Sequence, residues 1–165
     1  MPTRRRSGTG ARLPVHVSPA LLAVASGVVA GAVALGGGAL ALAGAMGVVA
    51  ASLLAHELAH ALAARWCGYR VEAVRLGLLG GGTAWSGPDA PPEVAALVAA
   101  AGPGTTAVLA VGFVLAGQAT GGLDGLLLVG ASVNVVDALV NLVPLPGSDG
   151  RQLLRAVRAA RARAT

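Results

Sequence analysis

His56-Glu57-Leu58-Ala59-His60 combines two imidazoles and a carboxylate at a spacing that could do chemistry. On an α-helix, residues four apart lie one turn apart on the same face, so both rings reach a common point with Glu57 beside them. Two converging imidazole nitrogens are a ligand pair for zinc, and an adjacent carboxylate is placed to act as general base in peptide hydrolysis. The setting is unusual, because the run Ala39 to Ala55 that precedes the motif holds no charged residue. Ionisable groups inside such a segment are costly in a bilayer and are functional by default. The residues therefore point to peptide hydrolysis within a membrane.

A catalytic zinc commonly takes three protein ligands and leaves one position for water. The carboxylates besides Glu57 are Glu72, Asp89, Glu93, Asp124, Asp137 and Asp149, and the single Cys67 excludes a multi-cysteine site and an internal disulfide. Asp149 is the best third ligand. It follows Pro144-Leu145-Pro146-Gly147, where a helix must stop, and irregular backbone at membrane depth is tolerated only where it lines a protein or water-filled site. The competing role for Asp149 is to cap a following helix. His16, Glu72 and Glu93 stay open as alternative ligands, while Asn134 and Asp137 read as polar contacts between helices.

The elements that must position these groups are membrane spans. Hydrophobic residues make up 55% of the 165 residues, charged residues 12%, and the mean hydropathy is +0.75. That composition describes an all-α polytopic membrane protein. Residues 1–17 form a polar, Arg-rich arm, and a core over 18–149 contains spans at about 19–35, 39–66, 94–116 and 121–143. Alternating apolar residues and Gly80-Gly81-Gly82 predict a short membrane-associated β-hairpin over about 69–86, the glycines being either its turn or a contact to substrate. Gly102-Pro103-Gly104 is expected to kink the third span or open its hydrogen-bond ladder. The tail, 150–165, is a basic amphipathic helix suited to an anionic membrane face.

The net charge of +5 comes from twelve arginines against seven acidic residues, with no lysine. The arginines group in the arm, at Arg65, Arg70 and Arg75, and in the tail. Four spans with both termini cytoplasmic satisfy every cluster, so topology explains the basicity and nucleic-acid binding is not expected. His56 and His60 then lie roughly 8 to 14 Å along the helix from Arg65, and the fourth span returns to the same side just before Asp149. The candidate ligands agree in depth.

The pair His56-Glu57-Leu58-Ala59-His60 and Asn141-Leu142-Val143-Pro144-Leu145-Pro146-Gly147-Ser148-Asp149-Gly150 resembles the signature of the site-2 protease family of intramembrane zinc metalloproteases. Ala101-Gly102-Pro103 is similar to that family's small-Gly-Pro element, and Gly80 to Gly82 falls where it has a glycine-rich strand and loop. The resemblance implies one Zn²⁺ per chain held by His56, His60 and Asp149, Glu57 as general base, and Asn141 helping to polarise the scissile carbonyl. It implies single-pass transmembrane protein substrates, contact with lipid, a bacterial cell membrane, and a minimal core without PDZ or CBS module. Thr105, Thr106 and Ser148 depart from the family's usual residues and bear on substrate fit more than on catalysis. A zinc transporter would need several ionisable groups along a path, and the chain shows one cluster. A catalytically silent relative acting as a scaffold would have lost Glu57 or a ligand, and none is lost.

Overall fold

The computed structural model describes residues 13–19, 22, 26, 38–77, 80–86, 89–122 and 125–164. Most of the expected first span over 19–35 and most of the arm lie outside the described residues, as does Asp124. Among the described residues the elements are β1 (Val15–Val17), α1 (Ala39–Trp66), β2 (Val71–Gly77), β3 (Gly80–Trp85), α2 (Pro92–Thr120), α3 (Gly125–Leu142) and α4 (Asp149–Ala164).

Among these, α1, α2 and α3 are long and apolar enough to cross a membrane. Each is built from small and aliphatic residues, and each leaves large side chains such as Leu62, Val108 and Leu139 more than half exposed. In water such surfaces would associate, whereas in a bilayer lipid tails cover them. The protein is a multi-pass membrane protein. Its core is correspondingly small, built around Ala61, Ala64, Val71, Val74 and Val98 where α1, β2 and α2 meet. Asn134, fully buried on α3, donates to Ser52 Oγ on α1 at 2.8 Å, the interhelical polar contact anticipated for it.

α2 runs as one helix from Pro92 to Thr120 with Pro103 inside it, and Pro103, having no backbone N–H, leaves one rung of the helical ladder open as expected. One feature differs from the sequence expectation. The hairpin is part of a three-stranded mixed sheet, because β1 pairs in parallel with β2 in the register Val15↔Val74, His16↔Arg75 and Val17↔Leu76. The polar arm therefore ends in a strand. The short pattern Val15-His16-Val17 carries the β-branched alternation of a strand, but three residues gain that state only when an existing edge accepts them.

The loop between α3 and α4 brings Asp149 to the site. Pro144 and Pro146 end α3, Ser148 Oγ donates to Val143 O at 2.6 Å, and the Arg151 backbone N–H donates to Ser148 Oγ at 3.3 Å. Ser148 is thus the capping side chain of α4, which leaves the Asp149 carboxylate, on the first helical residue, free for other contacts. A side chain at Gly150 would collide with the Leu142 carbonyl, so glycine there lets the start of α4 press against the end of α3.

Candidate metal centre

His56, Glu57 and His60 project from the same stretch of α1 and are buried, with none exposing more than 7% of its surface. Asp149, equally buried, meets them from the start of α4. The three atoms His56 Nε2, His60 Nε2 and Asp149 Oδ2 form a triangle with edges of 3.1 Å between the two histidines, 3.1 Å from His56 to Asp149 and 3.3 Å from His60 to Asp149. Tetrahedral zinc with bonds of about 2.0–2.1 Å separates its ligands by about 3.3–3.4 Å, so this triangle needs to open by only a few tenths of an ångström.

The outer nitrogens fix the tautomers. His60 Nδ1 donates to the Val98 carbonyl of α2 at 2.6 Å. His56 Nδ1 lies 2.7 Å from Asp137 Oδ2, and neither atom has another partner, so the proton sits between them. The neutral rings then turn their Nε2 lone pairs toward each other and toward the Asp149 carboxylate, an arrangement that a divalent cation resolves. The donor set suits zinc: two neutral imidazoles and one carboxylate.

Two glycines make the close approach possible. A Cβ on Gly102 would collide with the Nε2 atoms of both His56 and His60, so the glycine lets the backbone of α2 lie across the mouth of the triangle. A Cβ on Gly81 would strike the Glu57 carboxyl group, so β3 packs directly on that side chain. Thr83 Oγ1, two residues further along β3, donates to Glu57 Oε2 at 2.9 Å and stands at the same distance from the Glu57 carbonyl oxygen. Glu57, the triangle and Asn141 all line one cavity of about 160 Å³, room for several water molecules.

The structure thus brings together all five residues singled out by the motifs: His56, Glu57, His60, Asn141 and Asp149. Asn141 does so indirectly, its Nδ2 donating to Asp137 Oδ1 at 3.0 Å and to Asp137 O at 3.1 Å. His16 does not join them; it stands on β1 opposite Arg75. Glu72 and Glu93, the other alternative ligands, are exposed and outside the cluster, which among the described residues contains His56, His60 and Asp149.

Sequence reasoning missed Thr83 and the reason for Gly102, and it read Asp137 as a polar contact between helices without naming His56 as the partner. Asp137 carried a signal, being a carboxylate in mid-span one helical turn before Asn141, but one-dimensional reading cannot tell a ring partner from an interhelical contact. Its contact makes a prediction. Asp137→Ala is expected to weaken zinc binding about 10- to 100-fold, the usual effect of removing the partner of a metal-bound imidazole, when affinity is measured by competition with a chromophoric chelator. Unchanged affinity would show that Asp137 does not orient His56.

The helices and the buried cluster define a multi-pass membrane protein with a two-histidine, one-aspartate cluster that could hold a metal ion. Residues 48–144, more than half of the chain, match the family described as Peptidase M50B-like, and the chain belongs to that family. The match includes His56, Glu57, His60 and Asn141 and stops before Asp149. The chain is 44% identical over 114 residues to a protein of Mycobacterium tuberculosis named as the zinc metalloprotease Rip3, an alignment covering 64% of this chain and 28% of that protein. It is 34% identical over 110 residues to one of Synechocystis named as the zinc metalloprotease sll0528, covering 65% of this chain and 29% of that protein. The aligned part thus spans less than a third of either relative. The fold is similar to that of the site-2 protease from Methanocaldococcus jannaschii, with a TM-score of 0.72 at 21% identity over 94% of this chain and 71% of that one.

Proposed function

We propose that the protein is a zinc-dependent endopeptidase that cleaves single-pass membrane proteins within their transmembrane segments. The observation that carries this reading is the convergence of the His56, His60 and Asp149 donors beside Glu57 in one small cavity between apolar helices. His56, His60 and Asp149 would hold one Zn²⁺ per chain, which when bound supplies a Lewis acid that lowers the pKa of water to about 7 and polarises a peptide carbonyl.

Glu57 accepts the proton of the attacking water and returns it to the leaving amine as the C–N bond breaks. Thr83 holds the Glu57 carboxylate by one oxygen and leaves the other for this transfer. Asn141 would exchange one of its two bonds to Asp137 for the substrate's carbonyl oxygen. A transmembrane helix hides its carbonyls in its own hydrogen bonds, so the substrate must be extended at the scissile bond. β3, an edge strand that lines the cavity with Gly81, Gly82 and Thr83, offers a surface for an extended chain. The arginine clusters support placement in a cell membrane, of bacterial type like its relatives, with both termini cytoplasmic.

The test is cleavage of a purified single-pass reporter in detergent micelles, with the product ends located by mass spectrometry. A cut inside the apolar segment is expected, abolished by a zinc chelator and restored by adding Zn²⁺. Cleavage that survives metal removal, or that falls only outside the apolar segment, would overturn the reading.

A further inference from the structure

An open groove of about 690 Å³ runs beside the candidate metal cavity. The two share Thr83, Trp85 and Gln152, so the groove leads into the cavity. One wall is the end of β3 and the start of α2. The other is a single face of α4, where Gln152, Arg155, Ala159 and Arg163 recur at helical spacing, with the small Ala159 leaving open floor between the two arginines. Both arginines are exposed, and among the described residues neither is in an ion pair.

The distances suit an extended polypeptide. Along α4, Arg155 lies about 9 Å and Arg163 about 21 Å beyond Asp149 at the rise of a helix. An extended chain covers those spans in about three and about six residues. The charge is selective as well as attractive. Most membrane proteins carry Lys and Arg at the cytoplasmic ends of their spans, and two unpaired guanidinium groups would repel such a flank while admitting an acidic one.

We propose that this groove receives the cytoplasmic flank of the substrate as an extended segment and selects acidic side chains about three and six residues from the scissile bond. The proposal rests on the endopeptidase reading above and adds the substrate class. Anionic lipid headgroups are the rival partner of the same arginines.

Three single-pass reporters test it, identical except for Glu, Gln or Lys at those two flank positions, in neutral detergent at low salt. The wild-type protein is expected to cleave the Glu reporter with kcat/KM about tenfold above the Lys reporter, with Gln between, each exposed charge pair contributing a few-fold and the contrast shrinking as salt rises. The double variant Arg155→Glu/Arg163→Glu is expected to invert the order. In parallel, a fluorescent acidic flank peptide should bind Glu57→Gln protein more tightly than its lysine counterpart. Equal cleavage of all three reporters would overturn the proposal. So would a uniform loss of cleavage in the double variant together with lost binding to phosphatidylglycerol vesicles, which would assign the arginines to lipid. Selective binding of the acidic peptide with no cleavage of any reporter would support the groove and sink the endopeptidase reading instead.

Discussion

Glu57→Gln is expected to keep its zinc and to lose cleavage, with kcat reduced about 10²- to 10⁴-fold and KM nearly unchanged. The range is what a positioned general base contributes, and glutamine removes the basic oxygen while keeping the shape of the side chain. The shape matters here, because the Glu57 side chain is packed against Gly81 of β3 and bonded to Thr83. Glutamine can still accept the Thr83 hydroxyl proton through its amide oxygen, so strand and helix stay docked. Glu57 is not part of the His56, His60 and Asp149 triangle, and metal content should be unaffected. The measurement is zinc per chain by elemental analysis beside single-turnover cleavage of the reporter. Full activity in the zinc-loaded variant would remove Glu57 from the chemistry, and loss of zinc would mean that Glu57 supports the metal instead.

The second large effect comes from a residue that carries no functional group. Gly102→Ala places a methyl group against the Nε2 atoms of both His56 and His60. Flexible side chains would swing aside at little cost. These cannot, because His60 is tied to the Val98 carbonyl and His56 to Asp137 through their other ring nitrogens. The methyl group must therefore push the rings out of register with Asp149 or occupy the space of the cation. Zinc affinity is expected to fall by more than the about 10- to 100-fold that loss of a ring's outer partner causes, since both rings are displaced at once. Stability should fall as well, because the preference of up to about 1 kcal/mol for alanine over glycine inside a helix offsets only part of the clash. Gly112→Ala, on the same helix with open space where its Cβ would stand, is the control and should keep its zinc. Normal zinc binding by Gly102→Ala would mean that the histidines do not converge as described.

The chemistry was unusually legible because much of it is local. The His56–His60 spacing fixes a shared helix face by backbone geometry alone, and apolar runs of spanning length declare their solvent without reference to any partner. Asp149 was legible through a different route, the proline-broken helix end that puts irregular backbone where only a site tolerates it. Ser148, by contrast, read as a departure bearing on substrate fit, and its hydroxyl is the cap of α4. Whether Asp149 capped that helix or faced the histidines was decided by this neighbouring side chain.

By itself, then, the sequence determined the membrane setting, the two-histidine face with its glutamate, and the loop that returns an aspartate to their depth. Tertiary structure alone decided that Asp137 seats His56, that Thr83 and Gly81 hold Glu57, that Gly102 clears the mouth of the triangle, and that Val15–Val17 joins the sheet. Each of these is a contact between segments distant in the chain. Periodicity and turn chemistry act over a few residues, whereas such contacts depend on how whole helices and strands settle against one another, and only the packed protein sets those separations.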